Sequence, residues 1–442
     1  MLNRFTLKQL AKVAGRRQSD LVAMASCNDA YLADTPARLA GAEWFAELFS
    51  KFHLGMGVHL RQIHYKIVSQ ANPVKKPDGS DYENTEKCWK YLVNASRDAR
   101  FQDLVPTGCF VDRRNPDPII NAEKMVLPST DADRGGLHYE EIEEEFPWLP
   151  SYNVTVGKAS SFCPYLIEIW AEKTTMNSIL EPLCRSRGIN LITGMGEMSE
   201  TATRLLIERA ISSQKPVRIF YISDFDPAGR SMPLAVSRRS QFMIDKLGID
   251  VDFKLIPLVL THEQCIELKL PRTPIKDTEK RGTKFEKRFG VGATELDALE
   301  ALHPEKLKQI VIAAINRYSD PEYSRLLDSA CMEYRHRLWN VEGLLSDVFG
   351  DVIEELKGER AAFVKQYAAF YEKATGAFEN MREWLCMTDS YPGDFVPPAH
   401  RPANEFSDEQ VLFDSKRDYL TQADAYNTFK NGIDDEDLEA VS

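Results

Sequence analysis

Residues 217–229 read VRIFYISDFDPAG, and their pattern predicts the architecture of the central part of the chain. Its first part is a mainly apolar run, which is typical of a parallel strand buried on both faces. The run passes directly into Asp224 and Asp226 and then into a Pro-x-Gly turn. Side chains two positions apart on an extended chain point the same way, so the two carboxylates project together. The stretch therefore predicts a buried parallel strand with an acidic pair at its carboxyl end.

The segments around this strand continue the same pattern. Residues 165–172, 189–194 and 249–260 are predicted strands, and helical segments at 176–188 and 199–213 separate the first three strands of the series. Strands that alternate with helices in this way predict an α/β fold with a Rossmann-like parallel sheet.

A third carboxylate is expected at the same edge of this sheet. Glu172 ends the strand 165–172, and open parallel sheets bind ligands at the carboxyl ends of their strands. Converging carboxylates repel one another and usually bind a hard divalent cation. We predict that Glu172, Asp224 and Asp226 bind Mg²⁺, with Mn²⁺ as a substitute. The plainer alternative for an isolated Asp-x-Asp is a solvated turn.

The loop at residues 193–204, TGMGEMSETATR, joins the second strand to the next helix. Its glycines and the helix start near Ser199 could cradle a phosphate. The glycine spacing matches neither an ATP-binding nor a dinucleotide-binding fingerprint, so neither cofactor is inferred. An ordinary tight turn between strand and helix explains the spacing equally well.

Residues 42–116 carry a different pattern, three helices followed by a short extended segment. The helical segments are 42–53, 58–69 and 85–101, and GCFVDRRNP closes the unit. Three helices and a β wing suggest a winged-helix domain whose third helix contacts DNA. The basic residues expected to contact DNA on this helix and wing are Lys87, Lys90, Arg97, Arg100, Arg113 and Arg114. A small helical domain with a solvated charged face is the alternative.

These motifs together resemble a known family. Glu-Lys after the first strand, Thr-Gly-x-Gly followed by Ala-Thr-Arg, and Asp-x-Asp-Pro-x-Gly after the third strand are similar to a Toprim domain. The version is that of the A subunit of DNA topoisomerase VI and its relative, the meiotic double-strand-break transesterase. ELDAL at residues 295–299 resembles the family's late Glu-x-Gln-Ala-Leu element, with Asp297 in place of Gln. The resemblance covers residues 43–340 and extends to shortened A-subunit-like proteins of phages and mobile elements.

The resemblance implies a catalytic tyrosine in the preceding winged-helix domain. The family's Arg-Asp-Ile-Tyr-Tyr-like motif matches Arg61-Gln62-Ile63-His64-Tyr65, so Tyr65 is the candidate nucleophile, while Gln62 and His64 depart from the pattern. A phenol has a reference pKa of about 10 and needs help to attack phosphorus. Arg61 lies about one helical turn earlier on the same face, where it can stabilise a tyrosinate or a phosphate. The alternative is a tyrosine that packs against neighbouring isoleucines.

Composition narrows the class of protein. The 442 residues are 43% apolar and 28% charged, as in globular rather than disordered chains. No apolar run approaches the roughly 18–20 residues of a membrane-spanning helix, and the N-terminus has no secretory-signal pattern. Eight scattered cysteines without a CxxC pair argue against a zinc site or a disulfide framework. We therefore expect no membrane association and a cytoplasmic location. The resemblance to the shortened phage and mobile-element proteins further implies the nucleoid of a bacterial or phage-infected cell.

The net charge of −12 still leaves room for DNA binding. Residues 343–442 hold 9 Lys and Arg against 21 Asp and Glu, so the rest of the chain is balanced. Residues 269–288, KLPRTPIKDTEKRGTKFEKR, hold eight basic and three acidic residues. Phosphate contacts dominate nucleic-acid affinity, so this stretch is a candidate DNA-binding loop, with a solvated loop as the alternative. Its expected DNA contacts are Lys276, Lys280, Arg281 and Lys284.

The chain is expected to have six segments. They are an N-terminal helical extension (1–41), the winged-helix domain (42–116), a connector (117–160), the Toprim-type domain (161–342), a helical arm (343–390) and an acidic, disordered tail (391–442).

The resemblance implies a Mg²⁺-dependent transesterase that makes double-strand breaks in DNA. Tyr65 would form a 5′-phosphotyrosyl link, and a homodimer would combine the tyrosine of one subunit with the three carboxylates of the other. The sequence contains no ATPase motif that we recognise, so strand passage would need a separate ATPase partner subunit. A hydrolytic Toprim nuclease with water as the nucleophile, and a non-catalytic DNA-binding component that needs a partner, remain the alternatives.

Overall fold

The computed structural model describes residues 4–112, 115–123, 130–135, 151–156, 163–277, 279, 281–318, 322–363, 367–387, 402 and 404–431. The chain forms two units. Unit 1 comprises Met1–Glu123, Tyr165–Ser319 and Ala403–Ser442, and unit 2 comprises Lys124–Pro164 and Asp320–Pro402. The expected boundary at residue 342 is therefore wrong, because one helix, Tyr323–Phe363, runs straight through it.

The strands, in chain order, are β1 (Thr130–Gly135), β2 (Ser151–Val156), β3 (Leu166–Ala171), β4 (Asn190–Thr193), β5 (Val217–Ile222), β6 (Phe253–Val259) and β7 (Phe413–Asp414). The helices are α1 (Arg4–Val13), α2 (Pro36–Lys51), α3 (Leu60–Val68), α4 (Glu86–Phe101), α5 (Asn177–Ser186), α6 (Glu200–Ser213), α7 (Pro227–Leu247), α8 (His262–Glu267), α9 (Gly282–Phe289), α10 (Leu296–Leu302), α11 (Pro304–Asn316), α12 (Tyr323–Phe363), α13 (Tyr367–Met387) and α14 (Tyr419–Asn431).

The core of unit 1 is a five-stranded sheet in the order β4-β3-β5-β6-β7. Strands β3 to β6 are parallel, and β7 pairs antiparallel with β6. Every residue of β3 and β5 is buried, as a strand covered on both faces requires. Helices α6 and α7 pack against the side chains of these strands, with Trp170 and Tyr221 fully enclosed. The expected α/β fold with parallel strands is confirmed.

The C-terminal segment 404–431 is folded, so the expected disordered tail is wrong over this range. Strand β7 extends the sheet, and Phe413 and Tyr426 are buried in the core of unit 1. Acidic residues of this segment pair with basic residues of the body: Lys254 Nζ lies 2.7 Å from Glu405 Oε1. The acidity of the sequence therefore reflects ion pairs as well as solvated surface. The segments 388–401 and 432–442 lie outside the described residues.

Residues 36–112 form a three-helix subdomain within unit 1. Helices α2, α3 and α4 match the three predicted helical segments and enclose a separate apolar cluster that includes Phe45, Ile63 and Leu92. The segment after α4 contributes one isolated bridge, between Val58 and Phe110. Arg113 and Arg114 lie outside the described residues. The winged-helix assignment stays a prediction.

Within unit 1, the N-terminal extension packs on helix α7 through a buried arginine. Arg238 of α7 is fully enclosed, with Nε 3.0 Å from Asp29 Oδ2 and its guanidinium 4.1 Å from the ring centre of Tyr31. The same guanidinium donates to Tyr419 Oη of α14 at 2.6 Å. This cation therefore fixes the two ends of the chain to the helix that follows the Asp-x-Asp turn.

Unit 2 contains the predicted helical arm, as α12 and α13, which pack together. The connector, expected to be irregular, contributes the antiparallel pair β1–β2 to this unit. In the parts of the chain that the structure describes, no helix is long and apolar enough to cross a membrane.

Candidate active site

Two of the three predicted metal ligands meet at the carboxyl edge of the sheet. Ala171 of β3 lies opposite Ile222 of β5, so Glu172 and Asp224 follow neighbouring strand ends. The backbone N–H of Asp224 donates to Glu172 Oε2 at 3.0 Å. Both side chains are buried, 8% and 7% exposed. The parallel sheet thus places two carboxylates side by side, as the motif order predicts.

The third carboxylate, Asp226, begins helix α7. Its side chain accepts a hydrogen bond from the backbone N–H of Gly229, which caps the helix. A Cβ on Gly229 would lie 2.2 Å from the carbonyl oxygen of Asp224, so no other residue fits there without moving the backbone. Phe225, between the two aspartates, packs against an aromatic cluster, with its ring centre 5.2 Å from that of Phe289. The Asp-x-Asp-Pro-x-Gly spacing therefore sets the shape of this turn.

Lys173 is a site residue that our interpretation of the sequence missed. Its ammonium lies 3.0 Å from Asp224 Oδ2, 3.0 Å from Asp297 Oδ2 and 3.6 Å from Glu295 Oε2. The backbone N–H of Leu296 donates to Asp224 Oδ1 at 2.7 Å. The ELDAL segment reaches this edge because its neighbour Thr294 pairs with Phe225. Asp297, where the family has Gln, is the signal that could have predicted an ion pair here.

Electrostatics at this edge disfavour the charged carboxylates. Burial raises the pKa of Glu172 to about 7, and the charges of Asp224 and then Asp226 add to the rise. Burial also raises the pKa of Asp224, although the Leu296 N–H and the Lys173 ammonium oppose the shift. Burial alone would lower the pKa of Lys173, but its carboxylate partners raise it. The site therefore holds more buried negative charge than Lys173 compensates.

This excess of negative charge is relevant to the predicted Mg²⁺ site. Among the described residues, no three His, Cys, Asp or Glu side chains stand in an arrangement that could hold a metal ion directly. The Lys173 ammonium already forms an ion pair with the carboxylate of Asp224. The donors nevertheless fit a hard divalent cation, because they are all carboxylate oxygens and their negative charge is incompletely compensated. Binding by Glu172, Asp224 and Asp226 requires Lys173 to release Asp224, and it stays a prediction.

Tyr65 lies on an exposed face of α3 and is 59% exposed. Arg61, one turn earlier, lies with its guanidinium 5.9 Å from the ring centre of Trp89. His64 is buried, with Nδ1 2.7 Å from Tyr82 Oη and Nε2 3.0 Å from Asn84 Oδ1. His64, which departs from the motif of the resembling family, is therefore a buried core residue. The ring of Tyr65 contacts that of His64, with the ring centres 5.4 Å apart.

The predicted DNA contacts on α4 divide into two groups. Lys87 and Lys90 are exposed, and Lys90 pairs with Glu86 on the same helix at 2.6 Å. Arg97 and Arg100 are not available to DNA, which corrects the prediction. Arg97 binds Cys27 O, Asn28 and Asp98, and Arg100 packs at 5.0 Å from the ring centre of Phe110. The C-terminal half of α4 faces the N-terminal extension. The pattern of charged residues along α4 does not indicate this contact.

The basic segment 269–288 folds as a loop and helix α9. Lys276 and Lys284 are exposed, whereas Lys280 lies outside the described residues. Arg281 is half exposed, but both carboxylate oxygens of Glu279 engage it at 2.7 and 2.8 Å, and it also donates to Ser231. Phe285 anchors the helix on Phe225, with ring centres 5.2 Å apart. The segment therefore flanks the Asp-x-Asp turn with at least two unpaired lysines pointing to solvent among its described residues.

The loop 193–204 is a tight turn whose backbone N–H groups form hydrogen bonds with the end of β3. Gly194 N–H donates to Ala171 O at 2.9 Å, and Gly196 N–H donates to Glu172 O at 3.2 Å. Ser199 caps α6 with its own side chain. These contacts favour the turn over the phosphate cradle.

No known family model matches the chain, and no match is found among curated proteins.

Proposed function

We propose that this protein is a Mg²⁺-dependent DNA-cleaving transesterase with Tyr65 as the nucleophile. The observation that carries the proposal is the buried pair Glu172 and Asp224 at neighbouring strand ends. Burying like charges costs stability, so clusters of this kind with perturbed pKa values concentrate at functional sites. The Toprim resemblance, which passes through the same residues, supports DNA as the substrate.

In the proposed reaction, the phenolic oxygen of Tyr65 bonds to the phosphorus of a DNA phosphodiester. The bond from phosphorus to the 3′-oxygen breaks, so that the 5′ end stays linked to the tyrosine. The phenolic proton passes to solvent, and the 3′-oxygen takes up a proton to become a hydroxyl. Arg61 donates to the phosphate oxygens from the same face of α3. Mg²⁺ bound by the three carboxylates would stabilise the charge that develops on the leaving oxygen.

The exposure of Tyr65 supports a composite site in a homodimer. Its side chain is 59% exposed, and the aromatic ring that it contacts is that of His64. A second copy bound to the same duplex could bring its carboxylates to this tyrosine. Double-stranded DNA and a homodimer are therefore part of the proposal, and an ATPase partner subunit is needed only for strand passage.

A cleavage assay on supercoiled DNA with Mg²⁺ tests the proposal. Tyr65→Phe and Asp224→Asn should each reduce cleavage roughly 10³-fold or more, because each removes a group that acts at the reacting phosphate. The matched controls are Tyr91→Phe on α4 and Asp250→Asn, whose carboxylate is a surface partner of Lys416. Both controls should cleave at the unmodified rate.

The same assay separates the two alternatives. Cleavage that survives Tyr65→Phe but is lost in Asp224→Asn would identify a hydrolytic nuclease with water as the nucleophile. Intact DNA binding without cleavage by the unmodified protein would identify a non-catalytic component that needs a partner.

A further inference from the structure

Asp297, in the first turn of α10, is an acidic residue at the sheet edge that the proposed reaction does not use. Its Oδ2 lies 3.0 Å from Lys173 Nζ, and Thr175 Oγ1 donates to its Oδ1 at 3.4 Å. The side chain is 49% exposed, so these two contacts, rather than burial, hold the carboxylate beside the lysine.

Lys173 joins Asp297 to the predicted metal site. An ammonium has three N–H donors and no acceptor. The Lys173 ammonium lies 3.0 Å from Asp224 Oδ2, 3.0 Å from Asp297 Oδ2 and 3.6 Å from Glu295 Oε2. Of these three carboxylates, Asp224 is the one that belongs to the predicted metal ligands. Lys173 can therefore leave Asp224 and still remain paired, provided that Asp297 stays in place.

Both oxygens of Asp224 already have partners. Oδ1 accepts a hydrogen bond from the backbone N–H of Leu296 at 2.7 Å, and Oδ2 faces Lys173. A divalent cation on Asp224 would repel the ammonium at the same carboxylate, so the lysine has to withdraw. The Lys173 side chain is 25% exposed, and a largely buried ammonium that loses its carboxylate partners is costly. A second carboxylate that keeps the ammonium paired lowers this cost.

We propose that Asp297 is a positioning residue for the predicted metal site, because it retains Lys173 when a divalent cation binds Asp224. The inference rests on the proposed function, since it assumes that Glu172, Asp224 and Asp226 bind the cation. Two other roles lead to different results. As a purely structural tie between α10 and the segment after β3, Asp297 would leave metal affinity unchanged. As a direct metal ligand, it would contribute to the affinity whether or not Lys173 is present.

Calorimetric titration of the full chain with Mn²⁺, without DNA and at one pH and ionic strength, tests the proposal. We expect Asp297→Asn to bind Mn²⁺ about tenfold or more weakly, because the ammonium then stays on Asp224. Lys173→Gln removes the competing cation, and it should bind at least as tightly as the unmodified protein. The double variant Lys173→Gln/Asp297→Asn should bind within about threefold of Lys173→Gln, since no lysine remains to be held.

Glu295→Gln is the charge-matched control. It removes the same charge from the same segment, but Glu295 Oε2 lies farther from the ammonium, so metal affinity should fall clearly less than in Asp297→Asn. Unchanged affinity in Asp297→Asn, or an equal loss with and without Lys173, would overturn the proposal. If Lys173→Gln does not fold, the two carboxylate variants decide, and equal losses in both would overturn it.

The same titration separates this inference from the proposed function. Saturable Mn²⁺ binding that is lost in Asp224→Asn but unchanged in Asp297→Asn would refute the inference and leave the metal site standing. No saturable binding, either by the unmodified protein or by Lys173→Gln, would refute the metal site and, with it, the role of Asp297.

Discussion

The sheet edge and the three-helix subdomain hold their candidate functional groups in opposite ways. At the sheet edge, Glu172 and Asp224 are buried and are positioned by strand ends, a helix cap and a lysine. On α3, Tyr65 projects into solvent from the middle of a helix. The first arrangement is costly and rigid, whereas the second costs little and leaves the side chain free to meet a large ligand. The carboxylates are therefore held in place by the fold, whereas Tyr65 is open to solvent; in the proposed function, DNA or a second copy would complete the site at this tyrosine.

The largest effect is expected from Gly229→Ala at the sheet edge. The added methyl group would sit 2.2 Å from Asp224 O, so the turn must open or the protein must fail to fold. We expect a loss of roughly 4 kcal/mol or more in the free energy of unfolding. Chemical denaturation measures it. In the three-helix subdomain, a Cβ on Gly55 meets nothing within 4 Å, so Gly55→Ala should be nearly neutral; similar losses in both variants would contradict the comparison.

Arg97→Ala tests the corrected role of α4. Its removal takes one partner from the buried carboxylate of Asp98, so we expect a loss of about 2–3 kcal/mol in the free energy of unfolding. Lys87→Ala, on the exposed part of the same helix, should change stability by less than about 0.5 kcal/mol. If Arg97→Ala keeps full stability and instead loses DNA affinity, Arg97 is a DNA contact after all.

The raised pKa of Glu172 predicts a pH-dependent stability. The folded protein holds this proton up to about pH 7, whereas the unfolded chain releases it near pH 4.5. The stabilising contribution is therefore fully present below pH 4.5 and is lost as the pH rises towards 7. Without divalent metal, stability should fall by about 2 kcal/mol between pH 5 and 7.5. Thermal unfolding of Glu172→Gln should lack this part of the decline, and an identical pH profile would refute the assignment.

The smallest effect concerns the basic segment. Each phosphate contact contributes about 0.9 to the slope of log affinity against log salt concentration. The double variant Lys276→Gln/Lys284→Gln should therefore reduce the slope by about two. Arg281→Gln should reduce it less, because Glu279 already engages this guanidinium. Titrations of labelled duplex at several salt concentrations provide the measurement, and an unchanged slope in the double variant would remove the segment from the DNA interface.

The sheet could be predicted because a strand buried on both faces has a distinctive pattern. The apolar run before Asp224 ends where β5 ends, and the Pro-x-Gly that follows is a local requirement of the turn. Both signals lie within a few residues of one another. The two buried carboxylates could therefore be predicted from the sequence as neighbours.

Other features depend on contacts between distant parts of the chain. Lys173 meets Asp297 across 124 positions, and Arg97 is buried against the N-terminal extension. The segment 404–431 is acidic by composition, yet Phe413 adds a strand to the sheet. Apart from Asp297 within the ELDAL segment, no local pattern distinguishes these charged residues from solvated ones. The metal, the DNA contacts and the nucleophile likewise stay predictions, because each depends on a partner outside the chain.

In the proposed function, Tyr65 becomes covalently linked to DNA. The most direct measurement is to incubate the protein with Mg²⁺ and end-labelled duplex, denature the mixture, digest it and locate the adduct by mass spectrometry. We expect a nucleotide joined through its 5′-phosphate to the peptide that contains Tyr65, and no adduct from Tyr65→Phe or Asp224→Asn. Efficient cleavage without any protein–DNA adduct, or an adduct on another residue, would contradict the account.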